Sequence, residues 1–222
     1  GFEMPEADKS ERYLVQKSTA ATLDFAAVMA AASRIYADYE TPYPGLSAKM
    51  LAASKSAWTW AKANPARYYS QPADIQTGGY GDNDVSDEFF WAAAELYIAT
   101  ADDSYYTAMK AAETTADIPG WIGVKSLGWI SLAQNLDSLT AAADKALIKS
   151  RLDGVAASIV AKKVASPYGV SLEKGDFYWG SNSGALNQAL MLLEAYQLDT
   201  SKTAYRQAAQ APVSYTHLTL PT

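Results

Sequence analysis

The sequence lacks several residue types and patterns that would point to common classes of protein. It has no cysteine, which excludes disulfide bonds and thiolate metal sites, although not export from the cell. Its only histidine, His217, lies near the end of the chain, so the body of the chain has no imidazole. No apolar run approaches the roughly 20 residues of a membrane-spanning helix. Lysine and arginine do not cluster, and the formal net charge is −6, so neither nucleic acid nor a membrane is an expected partner.

What the chain does have in quantity is alanine and aromatic residues. Apolar residues make up 49% of the chain and aromatic residues 12%, whereas valine and isoleucine are sparse, which favours packed helices over sheets. Apolar residues recur at helical spacing in about eight segments, and no strand candidate is strong. We therefore predict an all-α fold. Ser18 or Thr19 is a predicted N-cap of the first helix. The predicted helices cover residues 13–39, 46–63, a central helix that ends at residue 100, 102–116, 125–136, 140–165, 183–198 and 202–211.

The central helix is preceded by a glycine-rich acidic loop, residues 78–88. Acids in this position suit the positive end of the helix dipole, and Asp84 or Ser86 is predicted to cap the helix. Beyond the cap, apolar residues cover almost the whole circumference, so the helix is predicted to be buried between other helices. Two readings of the acidic cluster stay open from the residues alone, a catalytic carboxylate pair or a set of caps and ion ligands. The cluster comprises Asp82, Asp84, Asp87 and Glu88.

Three stretches resemble one known family in order and spacing. They are residues 80–100, with the run Ser-Asp-Glu-Phe-Phe-Trp-Ala-Ala-Ala-Glu-Leu-Tyr, residues 17–30, with Lys-Ser-Thr-Ala-Ala-Thr-Leu-Asp-Phe-Ala-Ala, and residues 178–189, with Tyr-Trp-Gly-Ser-Asn-Ser. Together they resemble the middle of the catalytic domain of family 9 glycoside hydrolases, the cellulases and related β-glucanases. The resemblance implies a fragment of an inverting enzyme that cleaves β-1,4-glucans.

The fold of that family is the (α/α)6 toroid, twelve helices in two concentric rings. About eight helices would make an incomplete ring, which we assign to residues 1–212. Residues 213–222 fit neither a helical pattern nor the family, and we expect them to be a non-native tail from adapter read-through.

The resemblance also implies which residues carry the site. The family's base belongs to an Asp-Ala-Gly-Asp motif upstream of this region and its acid is a glutamate far downstream. Neither is found in this sequence, so no catalytic residue is predicted here. The residues predicted to bind substrate are Trp121, Trp179, Tyr80, Asp82 and Tyr178. For Trp121 and Trp179, which lie in glycine- and proline-bearing loops, plain loop packing is the alternative to stacking on sugar.

For the first turn of the central helix, the resemblance implies a structural Ca²⁺ ion. Asp87 and Glu88 match the family's Asp-Glu pair, and Asn83 is the predicted loop ligand. Hard oxygen donors of this kind suit calcium. Plain helix capping by the same residues is the alternative. No cofactor is expected to take part in the chemistry itself.

The expected partner is a polysaccharide, a β-glucan, and the complete enzyme is expected to be a secreted monomer. One rival hypothesis is a non-catalytic α-solenoid or toroid that binds glycan or protein, but residues 19–36 and 87–100 share no repeating consensus. Another is a different α/α-barrel enzyme, such as an epimerase or lyase, but its site would use histidines that the body of this chain lacks.

Overall fold

The computed structural model describes residues 4, 6–7, 9, 13–75, 79, 81–121, 123–177 and 180–210. These residues form eight α-helices, and no strand occurs among them, which confirms the predicted all-α class. The helices are α1 (Thr19–Tyr36), α2 (Leu46–Ala63), α3 (Ser86–Thr100), α4 (Asp103–Ala111), α5 (Lys125–Gln134), α6 (Lys145–Ala165), α7 (Ser181–Leu198) and α8 (residues 203–210).

Side-chain caps define the starts of α1 and α6. Helix α1 begins at Thr19, because the Ser18 hydroxyl caps it by accepting a hydrogen bond from Ala21 N, which confirms one of the two predicted caps. The helical spacing of the apolar residues had extended this helix back to residue 13. Helix α6 begins at Lys145 and not at residue 140, because the carboxylate of Asp144 accepts from Leu147 N at 2.8 Å. In both cases apolar residues also occur before the cap, so helical spacing alone extends the predicted helix too far.

The ends of the middle helices also differ from the prediction. Helix α4 stops at Ala111, five residues early, and the carbonyl oxygen of Thr114 then accepts a hydrogen bond from the Trp129 ring N–H at 3.2 Å. Helix α3 has Val85 at its N-cap position, with no side-chain cap hydrogen bond. Asp84 does accept from Ser86 N at 3.1 Å, as predicted for one of the two candidates.

The helices alternate between two layers. Helix α1 packs on α3, α3 on α5 and α5 on α7, which makes a continuous inner row. Helix α2 covers α1, α4 covers α3, and α6 packs against α5 and α7 from the outside. Helix α8 joins the core through Tyr205, Ala208 and Ala209. This is an arc of eight of the twelve helices of an (α/α)6 toroid, the incomplete ring that the resemblance implies.

Helix α3 is the centre of the arc, and a buried ion pair fixes its neighbours to it. Glu95 is only 2% exposed, and its carboxylate accepts from Arg34 Nη2 at 2.5 Å, from Trp91 Nε1 at 3.1 Å and from Ser131 Oγ at 2.5 Å. Arg34 Nη1 also donates to the backbone oxygen of Glu95 at 3.0 Å. One carboxylate therefore connects α1, α3 and α5, in addition to their apolar packing.

A close backbone approach holds α3 against α5. A Cβ atom built at Gly128 would lie 2.8 Å from Phe90 Cε1 and 3.3 Å from Trp91 Cα. The Phe90 ring is fully buried and lies 4.7 Å from the Trp129 ring, so it has no room to move aside.

The first and last inner helices each expose an apolar face. On α7 this face consists of leucines at helical spacing, and on α1 it includes an aromatic and two aliphatic side chains. The exposed residues of these faces are Phe25, Val28 and Ile35 on α1 and Leu186, Leu190 and Leu193 on α7.

None of the helices in the described part of the chain is both long enough and apolar enough to cross a membrane.

Candidate functional site

A cavity of about 640 Å³ opens where the amino-terminal ends of α1, α3 and α5 come together. Its wall combines the first turns of α1, the segment after α2, the acidic loop before α3 and the loop before α5. These three helices of the inner row therefore begin at the same end of the arc. The residues with polar or aromatic side chains that line it are Gln16, Ser18, Asp24, Tyr68, Tyr69, Asp82, Glu88 and Trp121.

Trp121 supplies the most exposed aromatic surface of this cavity, with 78% of its surface accessible. The loop that carries it is held on both sides. Asn187 on α7 donates to Pro119 O at 2.8 Å, and the carboxylate of Asp87 on α3 accepts from Val124 N at 2.8 Å. Trp121 therefore lies at the tip of a loop anchored to two inner helices. A flat, accessible ring in this position can stack on the apolar face of a sugar.

Carboxyl groups line the same cavity. Burial raises the pKa of Asp24 to about 6, with further contributions from the charges of Asp87 and Asp82. Burial also raises the pKa of Glu88, which is only 3% exposed, and a hydrogen bond to Asp87 and the charge of that residue act in the same direction. These acids therefore need a compensating proton or cation when they are buried together.

Two of these carboxylate oxygens are buried without a hydrogen-bond partner, Asp24 Oδ1 and Glu88 Oε2. Oxygen donors without partners fit a hard cation such as calcium. No group of three or more aspartate, glutamate or histidine side chains that could hold a metal ion occurs in the described ranges. Asn83, the predicted loop ligand, is exposed and does not line the cavity.

The predicted substrate residues have different outcomes. Trp121 and Asp82 both line the cavity. Tyr80, Tyr178 and Trp179 lie outside the described residues. A second cavity, of about 360 Å³ between residues 115–118 and α6, contains none of the predicted site residues.

Sequence reasoning missed three residues of the site. Asp24 follows the pattern of a solvent-facing helix position, and only the packing of α3 beside α1 places it next to Glu88. Tyr68 and Tyr69 belong to residues 66–81, a long aromatic loop that the sequence already predicts to be functional, since such loops in compact helical domains usually are, but neither tyrosine was assigned a role.

Comparisons with known proteins agree with this architecture. A xyloglucan-specific endo-β-1,4-glucanase of Bacteroides ovatus is 39% identical over 97% of this chain, and Endoglucanase C of Cellulomonas fimi is 34% identical over 96%. The chain spans 39% of the first relative's length and 19% of the second's.

Solved structures agree as well. The fold matches a Bacteroides ovatus family 9 glycoside hydrolase with a TM-score of 0.86 at 36% identity, covering 96% of this chain and 41% of that one. It matches the family 9 endoglucanase J30 with a TM-score of 0.85 at 27% identity, covering 97% and 40%. Residues 1–217 match the sequence signature described as Glycosyl hydrolase family 9. This match covers nearly the whole chain, and it agrees with the arc of paired helices and with the cavity at the amino ends of the inner row. The chain therefore belongs to glycosyl hydrolase family 9.

Proposed function

We propose that the protein containing these residues is an inverting hydrolase of β-1,4-glucans, and that this chain supplies part of its substrate-binding cleft. The observation that carries the proposal is the exposed Trp121 ring beside carboxylates in a 640 Å³ cavity. Glucosyl rings present apolar faces that stack on aromatic side chains, and hydroxyl rims that bond to carboxylates. Membership of the family and the names of the relatives, which are endoglucanases, support the choice of β-1,4-glucan.

Inverting hydrolysis needs one carboxylic acid to protonate the leaving oxygen and one carboxylate to activate water, roughly 6.5 to 9.5 Å apart. We assign neither role to a residue of this chain. Asp24 and Glu88 are better explained as a buried pair that needs a counter-charge, because both have an unpartnered oxygen inside the protein.

The full-length gene product provides the test. It should release reducing sugar from carboxymethyl-cellulose or xyloglucan, but not from chitooligosaccharides, and the first product should have the α-anomeric configuration. Trp121→Ala should raise KM roughly threefold to tenfold, the range that an aromatic contact contributes. Tyr168→Ala is the matched control, because Tyr168 is 90% exposed and lies outside the cavity. No activity on any β-1,4-glucan, or a β-anomeric product, would overturn the proposal.

We further propose that the first turn of α3 binds a structural Ca²⁺ ion through Asp87 and Glu88, with oxygens of the neighbouring loop at Asn83 as additional ligands. The support is the partnerless oxygen of Glu88 and the oxygen-only donor set. Calcium at about 100 times its Kd should stabilise the folded protein by about 2.7 kcal/mol, and Glu88→Gln should abolish this gain. Thermal melting with calcium, with magnesium as the control, and with a chelator measures it. An unchanged melting temperature in calcium would remove the metal and leave capping as the role of these residues.

We also propose that the protein acts outside the cell and as a monomer. Polymeric glucans do not enter cells, so an enzyme that cleaves them has to reach them there. Activity in the culture medium of the source cells and a monomeric mass by light scattering are the expected results. Activity confined to the cell extract, or a defined oligomer, would contradict the respective part.

A further inference from the structure

The cavity has an aromatic wall that the sequence motifs do not include, formed by Tyr68 and Tyr69. Both side chains line the cavity that Trp121 also lines, and Tyr68 is 40% exposed. The two tyrosines belong to the segment that follows α2, and residues 64–75 form neither helix nor strand. Such a segment needs specific contacts to present side chains in one orientation.

Thr19, the first residue of α1, provides these contacts, and it is fully buried. Its backbone N–H donates to Arg67 O at 2.8 Å, and its hydroxyl accepts from Arg67 N at 2.9 Å. The same hydroxyl donates to Asn64 O at 2.5 Å. Thr19 therefore fixes the residue directly before Tyr68 through both of its backbone polar groups.

Beyond Thr19, two further hydrogen bonds and one close backbone approach fix the tyrosine segment and the start of the acidic loop. The Tyr69 hydroxyl donates to Gln71 Oε1 at 2.6 Å, and Gln71 Nε2 donates to Ile75 O at 2.7 Å. A Cβ built at Gly81 would lie 3.4 Å from Tyr69 O, so the chain just before Asp82 passes close beside Tyr69. The tyrosine segment and the start of the acidic loop are therefore packed against each other.

We propose that Tyr68 and Tyr69 form a second sugar-binding surface of the cleft, and that Thr19 is the positioning residue that holds this surface in place. The ligand class is a β-1,4-linked gluco-oligosaccharide, which lies across tyrosine and tryptophan rings in one cavity. This inference rests on the proposed function, since it requires that the cavity binds glucan at all.

The test uses the full-length gene product and a thio-linked cello-oligosaccharide that is not cleaved, with affinity measured by titration calorimetry. Tyr68→Ala/Tyr69→Ala should weaken binding roughly threefold to tenfold. Thr19→Val keeps the shape and removes the hydroxyl, so it should weaken binding by a similar factor, whereas Thr19→Ser should restore it. In the double tyrosine variant, Thr19→Val should cause no further loss, because its effect passes through these rings.

Ser54→Ala is the matched control for loss of a buried hydroxyl. Ser54 is fully buried and donates to Ala26 O at 2.6 Å, which also joins α1 and α2, but it does not line the cavity. It should lower the melting temperature and leave the affinity unchanged. Thr19→Cys replaces Thr19→Val if the valine variant does not fold.

Each of the remaining outcomes tests one part of the proposal. If Trp121→Ala and the tyrosine variant both bind normally, the proposed sugar cleft fails. If only Trp121→Ala weakens binding, the cleft stands and the second surface is refuted. If Thr19→Val lowers stability but binds as the Ser54→Ala control does, its positioning role is refuted.

Discussion

Removing the charge of Glu95 tests whether the buried ion pair holds the inner row together. Glu95→Gln keeps the size of the side chain and one acceptor oxygen, which can still accept hydrogen bonds from Trp91 Nε1 and Ser131 Oγ. The amide nitrogen then faces the guanidinium of Arg34, which is only 26% exposed. Arg34 keeps its bond to the backbone oxygen of Glu95 at 3.0 Å but loses its charged partner.

The magnitude follows from that loss. Removing one partner of a buried ion pair typically costs about 3–5 kcal/mol of folding free energy. Because Arg34 is partly solvated and keeps one backbone acceptor, we expect about 2–4 kcal/mol for Glu95→Gln. Arg34→Met combined with Glu95→Gln removes the uncompensated charge, so the double variant should lose less than the sum of the single variants.

Urea denaturation of the full-length product, followed by tryptophan fluorescence, measures these differences. Lys162→Met is the control, because it breaks a surface ion pair with Glu173 whose side chains are 43% and 64% exposed. It should change stability by no more than about 0.5 kcal/mol. A loss below about 1 kcal/mol for Glu95→Gln, or strict additivity with Arg34→Met, would refute the reasoning.

Three other predictions concern packing, pH and the isolated chain. Gly128→Ala should destabilise the protein by about 1–3 kcal/mol, because its Cβ meets the buried Phe90 ring, whereas Gly154→Ala, with no atom within 4 Å of the new Cβ, should stabilise it by about 0.5–1 kcal/mol in chemical denaturation. Burial raises the pKa of Glu194 above 4.5, so its ionised form disfavours folding. The free energy of unfolding of the unsubstituted protein should therefore fall as pH rises above 4.5. The melting temperature of Glu194→Gln, relative to that of the unsubstituted protein, should rise between about pH 4 and pH 8. An equal difference at both pH values would contradict this. Expressed alone, residues 1–212 should aggregate or be molten, since the apolar faces of α1 and α7 are exposed; a monomer with one cooperative thermal transition would contradict it.

Helix periodicity predicted the class, the number of helices and several of their ends. Helix α2 and the end of α3 were predicted to the residue, because Thr41-Pro-Tyr-Pro-Gly and Asn64-Pro65 disfavour helical backbone around α2. Helical spacing alone extended α1 back to residue 13 and α6 back to residue 140, because apolar residues before each cap continue the spacing. The cap of α1 at Ser18 was one of two predicted from the sequence, whereas the cap of α6 at Asp144 was identified only by its hydrogen bond.

The candidate site could be predicted in part. Trp121 was recognisable because it lies in a glycine- and proline-bearing loop and not on an apolar helical stripe. Asp24 and Thr19 were not recognisable as site residues, because each depends on a segment more than 40 residues away, and no local pattern encodes that pairing. The tyrosine segment lacked periodicity and so gave only its composition as a signal.

The shared orientation of α1, α3 and α5 has a consequence for how this scaffold diversifies. The side chains that interlock the inner row lie along the helices, whereas Tyr68, Tyr69, Asp82 and Trp121 lie in segments that connect the helices. Substitutions and insertions in those connecting segments can alter which ligand the cavity accepts without disturbing the contacts between helices. Relatives of this chain are named as a xyloglucan-specific glucanase, a cellodextrinase and a cellobiosidase. Such variety of named substrates is expected when the helices preserve the fold and the connecting segments determine which ligand binds.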